Sequence, residues 1–496
     1  MQQLYDFSCT MKPQMLAVTT DSQQTGEKRQ CWECQRRRLV CDSTRPICTK
    51  CSASGVVCPG YDDKRPLRWL APGKVKSRTR RKKSPAAMEM RKTTDHLKVT
   101  VHRIAEDPHR VVVPGSFIGK EYEAVLEATS YYNFCIYPEN VASQLKPNPF
   151  FVAFPEAAIP RLPPSVSHAL VCLLLGHRIR RLPISANVGS LVKRHDYHRG
   201  LAIRALNEDI GDEERRMKDA TISGVMMLLA SELMEANATK WQDHVNGAMT
   251  LVALRGGHSQ LLRSPGGPKL QMVLVYFIII GVIGNTTSPM SNQVPHMHLI
   301  DLITKLYGEV HYPTFPCPPS LFLDIIRINH LRSWGSVELP AEPTAAALDL
   351  LQHINSFSPE KWAESNLSYQ EEWLLIGRIY QSAVALYCIA TLPITPDAQT
   401  KGIRASCSRR LSQLLEKCVS CSMTKRYVLW PIIVAGFDAV HNGSSVQTQI
   451  AEWLEVMSRD IGSGLPLCGK AVLESFWSSG KTEWDECFHG MYVFAW

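Results

Sequence analysis

The chain of 496 residues has little of what marks a secreted or membrane protein. Its first residues, MQQLYDFSCTMKPQ, contain neither a basic segment nor a continuous apolar stretch, so we expect no secretion signal. The apolar run from Met272 to Gly284 has 13 residues, whereas a helix that spans a bilayer needs about 20. We therefore expect this run to be a buried helix, and we expect no membrane partner.

The local motifs of several large enzyme classes are also missing. The sequence contains no Gly-x-Gly-x-x-Gly fingerprint, no phosphate-binding loop that ends in Lys-Ser or Lys-Thr, no His-Glu-x-x-His and no Gly-x-Ser-x-Gly. These motifs carry cofactor binding, phosphate binding, metal-assisted hydrolysis and nucleophilic catalysis. We predict that the chain is not an enzyme.

Cysteine is unevenly distributed, since six of the 16 cysteines lie within 28 residues. Each half of this segment has the spacing Cys-x2-Cys-x6-Cys, and six further residues join the halves. Thiolates at such spacings suit zinc, which takes four ligands in a tetrahedron. Two ions have eight coordination positions, so six sulfurs suffice only if two are shared. We predict a cluster of two structural zinc ions held by Cys31, Cys34, Cys41, Cys48, Cys51 and Cys58.

A disulfide framework is the alternative for six clustered cysteines, and it has fifteen possible pairings. The remaining ten cysteines are scattered singly, apart from Cys418 and Cys421. Together with the absence of a secretion signal, this distribution indicates a reducing compartment, where clustered cysteines are usually metal ligands. The sequence therefore favours zinc over disulfides.

Positive charge is concentrated around the cysteines. Residues 1–100 contain 21 Lys plus Arg and 9 Asp plus Glu, a net of +12, whereas the whole chain is +9, which leaves −3 for residues 101–496. From Lys28 to Lys83 there are 17 basic and 4 acidic side chains. Such a segment can neutralise several phosphates and release their counterions. We predict double-stranded DNA as a partner.

These residues resemble the DNA-binding module of the fungal binuclear zinc cluster transcription factors. The run CWECQRRRLVCDSTRPICTKCSASGVVC has the six cysteines, a basic stretch between the second and third, and Pro46 in the joining loop. The resemblance implies two short helices around the metals. It also implies that Cys31 and Cys48 bridge the two ions, that Cys34 and Cys41 complete one site, and that Cys51 and Cys58 complete the other.

The same resemblance implies where the module contacts DNA. It places residues 35–38 on a short helix whose end enters the major groove. Arg38 then lies at the position that reads a CGG-type triplet, where its guanidinium can donate two hydrogen bonds to guanine O6 and N7. Arg36, Arg37 and Lys50 are expected on phosphates. Val40 departs from the family pattern, which usually has a basic residue before the third cysteine.

A basic block follows the cluster. Its length and polarity predict a flexible linker, and its composition fits a nuclear import signal. Residues 86–115 show no apolar heptads, so a long coiled coil is not expected there. The predicted import residues are Lys74, Lys76, Arg78, Arg80, Arg81, Lys82 and Lys83.

The rest of the chain is near neutral and repeatedly helical in period. For example, apolar residues recur at helical spacing after Asp219, which we expect to cap that helix, and again after Trp373. Paired alternating strands are nearly absent, which predicts a large all-α domain. Its residues resemble the fungal-specific transcription factor domain, through Trp241 to Gly257 and through Leu429 to Gly436.

The last residues admit two interpretations. Aromatic side chains there alternate with acidic ones, which is a pattern found in activation segments. The favoured interpretation is a last helix that packs on the domain, as the match of Leu473 and Trp477 to the family's closing helices implies.

We predict four regions: a disordered N-terminus at 1–27, the zinc cluster at 28–62, a basic flexible linker at 63–115 and a helical regulatory domain at 116–496. The predicted function is a nuclear, sequence-specific DNA-binding transcription factor that regulates RNA polymerase II transcription. Because a triplet occurs about once in 64 positions, a homodimer or a partner transcription regulator is expected. The alternative is a zinc-binding redox or ligand-sensing protein without direct DNA binding.

Overall fold

The computed structural model describes residues 30–44, 47–56, 58, 120–148, 151–183, 185–236, 240–263, 266–296, 300–309, 315–334, 343–395 and 397–495. The chain divides into two compact units, residues 1–97 and 98–496. The predicted N-terminal disorder at 1–27 and the predicted linker at 63–115 lie outside the described residues, so both stay predictions.

The first unit contains two short helices, α1 at Trp32–Arg37 and α2 at Thr49–Ala53. Each begins directly after a cysteine of the repeated spacing. The buried residues around them are cysteines, with Leu39 as a partly buried apolar neighbour. So small an apolar core cannot hold a fold without cross-links or metal.

The second unit is built from α-helices, and its described residues include no β-strand. The predicted fold class, a small two-helix cluster domain and a large all-α domain, is therefore confirmed. The helices are α3 Lys120–Tyr131, α4 Tyr137–Ala142, α5 Pro164–Arg181, α6 Gly189–Gly211, α7 Asp219–Met234, α8 Trp241–Leu254, α9 Gly257–Leu262, α10 Gly267–Thr286, α11 Ile300–Glu309, α12 Pro319–Trp334, α13 Pro343–Ser356, α14 Pro359–Glu364, α15 Gln370–Thr391, α16 Ala398–Val419, α17 Leu429–Asp438, α18 Ser444–Ile461, α19 Leu465–Ser479 and α20 Trp484–Cys487.

Short helical turns of other types join some of these helices. A π-helical turn at Tyr132–Ile136 connects α3 to α4. The 3-10 turns lie at Glu156–Arg161, Arg215–Met217, Met290–Asn292, Lys425–Tyr427 and Ala439–His441.

Helix α10 lies inside the main core. In the part of the chain that the structure describes, two helices, Lys269–Thr286 and Gln370–Thr391, are long and apolar enough to cross a membrane, and 78% and 67% of these stretches are buried in the domain. A core helix has the same composition as a membrane span because both are surrounded by apolar groups. The predicted buried helix at 272–284 is thus part of a longer helix, and its burial rather than its length identifies it as core.

The start of α7 differs from the prediction. Asp219 is the first helical residue and not the cap, because Lys218 occupies the cap position and makes no side-chain cap bond. The Asp219 carboxylate instead accepts a hydrogen bond from Arg255 at 2.6 Å. An ion pair with a residue 36 positions away has replaced the local cap.

The C-terminal aromatic residues pack into the core of the helical domain. Trp484, Phe488 and Phe494 are all less than 2% exposed. The Trp484 indole donates to the Thr286 carbonyl at 2.7 Å, at the end of α10. The packed-helix interpretation of this segment is therefore the one that the structure adopts.

Candidate metal centre and nucleic-acid interface

The two halves of the cysteine segment fold in the same way. Cys31 precedes α1 and its sulfur accepts a hydrogen bond from the Cys34 N–H at 3.3 Å. Cys48 precedes α2 and its sulfur accepts from the Cys51 N–H at 3.3 Å. A cysteine sulfur thus takes the place of the usual oxygen at each helix N-terminus, where the positive end of the helix dipole also favours a thiolate.

The two helices also end alike. Arg38 follows α1 with φ of 56°, and Gly55 ends the turn after α2 with φ of 64°. The next residues, Leu39 and Val56, donate their N–H groups to the carbonyls of Cys34 and Cys51 at 3.0 and 3.2 Å. This is the hydrogen-bond pattern of a left-handed helix cap, which favours glycine. Arg38 occupies the conformation that its counterpart Gly55 adopts at lower cost.

The six cysteine sulfurs form two overlapping groups. Within each group all four sulfurs lie within 4.8 Å of one another, and the groups share Cys31 and Cys48. The shared sulfurs are 3.6 Å apart. That separation excludes a disulfide, which needs about 2.05 Å, and matches the edge of a tetrahedron with zinc to sulfur distances of about 2.3 Å. The groups are Cys31, Cys34, Cys41 and Cys48, and Cys31, Cys48, Cys51 and Cys58.

The chemistry of this sulfur set fits a divalent metal. In the protein alone, burial and contacts with neighbouring thiols raise the pKa of Cys34 to about 12. Burial likewise raises the pKa of Cys51 well above the usual range. Thiolates at these positions therefore need a neighbouring cation, and zinc supplies one while deprotonating its ligands.

Asp42 connects the two halves, and the sequence analysis did not single it out. The Thr49 N–H at the start of α2 donates to Asp42 Oδ1 at 3.1 Å. Hydrogen bonds from the Thr44 hydroxyl and from Thr49 lower the pKa of Asp42 to about 2. An aspartate beside the third cysteine thus caps the helix that begins after the fourth. No local sequence rule signals this contact, because Asp42 lies seven residues before the N–H that it accepts from.

The predicted DNA-contacting residues are exposed on this module. Arg36, Arg37 and Arg38 lie at the end of α1, and Lys50 lies in α2. The Arg36 guanidinium donates to Glu33 at 2.8 and 2.5 Å, so one of the four is already paired within the module. Among the described residues, Arg37 and Arg38 have no ion pair. The predicted import residues at 74–83 lie outside the described residues.

Arginine is concentrated at the end of the first helix of the repeat. Residues 35–38 of the first half are Gln, Arg, Arg and Arg, and the equivalent residues 52–55 of the second half are Ser, Ala, Ser and Gly. The two helices have the same backbone geometry, so the halves differ in side-chain chemistry. The end of α1 thus carries three arginines where the equivalent residues of the second half are uncharged.

Comparison with known families gives two matches that together cover most of the chain. Residues 29–68 match the fungal Zn(2)-Cys(6) binuclear cluster domain. Residues 128–493 match the fungal specific transcription factor domain.

Individual relatives divide into one long match and short matches. The chain is 34% identical over 503 aligned residues to the phomenoic acid biosynthesis cluster-specific transcriptional regulator of Leptosphaeria maculans, with 97% of this chain and 91% of that protein covered. It is 43% identical over 49 residues to the acriflavine sensitivity control protein acr-2 of Neurospora crassa, with 10% and 8% covered. It is 45% identical over 42 residues to the arginine metabolism regulation protein II of Saccharomyces cerevisiae, with 8% and 4% covered. No solved structure matches the chain.

Proposed function

We propose a function for this chain from its family, because it belongs to the fungal transcription factors that combine a Zn(2)-Cys(6) binuclear cluster with a fungal specific transcription factor domain. The chain reads a specific DNA sequence and regulates transcription by RNA polymerase II. Family membership makes the chain a transcription factor and not an enzyme, and its cluster domain binds two zinc ions. What remains to be proposed is how it reads DNA and where it acts.

Zinc has a structural role in this proposal, because each group of four sulfurs leaves no coordination position open for catalysis. The six cysteines hold α1 and α2 in a constant orientation. Cys31 and Cys48 would bridge the ions, since they are the sulfurs common to both groups.

Sequence recognition is assigned to the end of α1, and the observation that carries this proposal is the Arg38 cap. A non-glycine residue in the left-handed region costs about 1–2 kcal/mol, and the second half uses glycine at the same place. A residue with such an unfavourable backbone conformation is retained where its side chain has a function. Arg38 would donate to guanine O6 and N7 of a CGG-type triplet, while Arg37, Arg36 and Lys50 would contact phosphates.

Two substitutions of Arg38 separate recognition from folding. Arg38→Ala should cost about 1–3 kcal/mol on the preferred triplet and little on random DNA, because the lost contact carries sequence information. Arg38→Gly should lose recognition equally while keeping or raising module stability, since glycine relieves the left-handed backbone. DNA binding assays on preferred and random duplexes, with thermal melting of the zinc-loaded protein, measure both effects.

Lys50→Ala is the matched control for Arg38, because it removes a charge from the other helix. It should weaken binding to preferred and random DNA alike. The slope of log affinity against log salt concentration should fall in magnitude by about 0.9. If Arg38→Ala lowers the affinity for preferred and random duplexes equally, Arg38 does not recognise guanine, and Arg37 becomes the candidate for that contact.

We also propose that the protein acts in the nucleus on genes of a biosynthetic cluster. The nearly full-length match is to a regulator named for such a cluster, and the basic block at 74–83 has the composition of an import signal. Chromatin immunoprecipitation should show occupancy at grouped biosynthetic genes. Replacing the seven basic residues of the block by glutamine should abolish this occupancy, and an unrelated import signal fused to that variant should restore it. Occupancy that survives the replacement would contradict the role of the basic block in nuclear import. Occupancy spread over unlinked genes would contradict the action on a biosynthetic gene cluster.

The redox or ligand-sensing alternative without DNA binding explains the cysteines but not the side chains beside them. Among the described residues of the zinc module, the exposed arginines are Arg36, Arg37 and Arg38 at the end of α1, where a purely structural zinc module has no need of them. A second half-site is expected from a homodimer or a partner regulator, because a single triplet is too frequent to direct a regulator.

A further inference from the structure

A cavity of about 310 Å³ lies within the helical domain. One wall is a single face of α12, formed by residues at positions i, i+3, i+4 and i+7, namely Ile326, Asn329, His330 and Ser333. The facing wall is the chain that follows α10, from Met290 to His296, together with Asn285 at the end of that helix. A helix face that would normally pack on a neighbouring element instead lines an open volume.

The walls of this cavity are held in place by hydrogen bonds. The Asn285 amide donates to the Val294 carbonyl at 2.7 Å and accepts from the Val294 N–H at 2.9 Å. The Asn329 amide donates to the Val282 carbonyl at 2.9 Å and accepts from the Tyr387 hydroxyl at 2.6 Å. Both asparagines are buried, and their amides are already satisfied. The cavity is thus preformed, as most small-molecule sites are.

One polar group of the lining remains without a partner. Gln293 Nε2 is buried and makes no hydrogen bond. Leaving a buried donor unpaired is unfavourable, and a ligand oxygen at this position would accept its hydrogen bond. Met290 and Pro295 are exposed and lie at the outer end of the cavity, which gives a ligand an entrance.

The lining has no charge to match an ionic ligand. None of the described lining residues is Lys, Arg, Asp or Glu. Burial lowers the pKa of His330, so that imidazole is neutral near pH 7. Apolar groups from Met290, Val294 and Ile326 supply much of the remaining surface. Burying an ionised group here without a counterion would be strongly unfavourable.

We propose that this cavity binds an uncharged, largely apolar small molecule that presents one hydrogen-bond acceptor to Gln293. Its volume is roughly ten times the share of one water in the liquid and lies at the lower end of ligand pockets. Binding at this site does not depend on how the zinc module reads DNA.

Three probes of matched size test the chemical class. Acetophenone has a carbonyl acceptor, ethylbenzene has none, and benzoate is ionised. With the full-length zinc-loaded protein, saturation-transfer NMR and thermal melting should show that acetophenone binds. Ethylbenzene should bind about ten-fold more weakly, since Gln293 stays unpaired. Benzoate should not bind.

Variants then locate the site. Gln293→Met keeps the side-chain length but removes the donor. The affinity for acetophenone should therefore fall about ten-fold, to the affinity for ethylbenzene. The control Gln413→Met lies on the exposed surface of α16 and should leave the affinity for both probes unchanged. Ser333→Leu narrows the cavity and should abolish binding of both apolar probes.

Four results would overturn the proposal. The first is that no probe binds, which would mean a cavity that holds water alone. The second is that benzoate binds as tightly as acetophenone. The third is that Gln293→Met weakens acetophenone and ethylbenzene equally. The fourth is that Ser333→Leu still binds acetophenone while retaining the melting temperature of the original protein.

Discussion

Replacing Cys48 by alanine should remove both zinc ions from the N-terminal module and abolish specific DNA binding. Cys48 belongs to both groups of four sulfurs, so its loss leaves each ion one ligand short. Among the described residues of this module, Leu39 is the apolar side chain that packs against the cysteines, and we expect the fold to depend on the metals. Elemental analysis should show the loss of zinc, and affinity for the preferred duplex should fall by about 10³-fold or more, to the non-specific level.

Two other cysteines serve as controls. Cys58 belongs to one group alone, so Cys58→Ala should lower the zinc content by one ion per chain. Cys421 lies in the helical domain and outside both groups, so Cys421→Ala should keep both ions and full DNA binding. A Cys48→Ala protein that retains two zinc ions and binds its preferred duplex would contradict the shared-sulfur arrangement.

Replacing Arg332 by alanine should destabilise the helical domain by about 1–3 kcal/mol, because buried carbonyl groups lose a charged donor, while the carboxylate of its partner Asp485 stays 45% exposed. The Arg332 side chain is 1% exposed and forms an ion pair with Asp485 of α20. It also donates to the carbonyls of Asn285 and Ser288 at the end of α10, at 3.1 and 3.0 Å. The Asn285 carbonyl lies in the last turn of α10, at the negative end of the helix dipole, and both carbonyls would lose the charged donor that Arg332 supplies.

Arg378→Ala is the matched control for this effect. Arg378 also pairs with a carboxylate, Glu360, at 2.8 Å, but both side chains are exposed, 37% and 51% respectively. Exposed pairs contribute about 0–1 kcal/mol, so this variant should unfold at nearly the same urea concentration as the original protein. Urea unfolding followed by tryptophan fluorescence compares the two. A loss below about 1 kcal/mol for Arg332→Ala would show that the buried network is not a major source of stability.

The helices of the second unit were partly predictable because their apolar residues recur at a helical period. The segments that begin near Asp219 and Trp373 are indeed helical. Helix ends were less predictable, since they depend on long-range partners. Asp219 pairs with Arg255 and does not cap its own helix, and no local rule could foresee that choice.

The zinc module was the most predictable part, because its ligands are close together in sequence. Spacing alone indicates two ions and two shared sulfurs. It does not show which sulfurs are shared, because the two halves have identical spacing; that assignment came from the family resemblance, and the sulfur positions agree with it. The cap by Asp42 and the left-handed Arg38 were missed, although aligning the halves pairs Arg38 with Gly55.

The sequence by itself determined that this protein has a two-zinc cysteine cluster with a positively charged first half and a large all-α domain. Each of these depends on local spacing, local charge or helical period, which can be read from neighbouring residues. The tertiary structure alone decided that Arg332 would be buried against Asp485, 153 residues away, and that a face of α12 would line a cavity. Such features depend on packing between distant segments, and a local pattern contains no information about which segments meet.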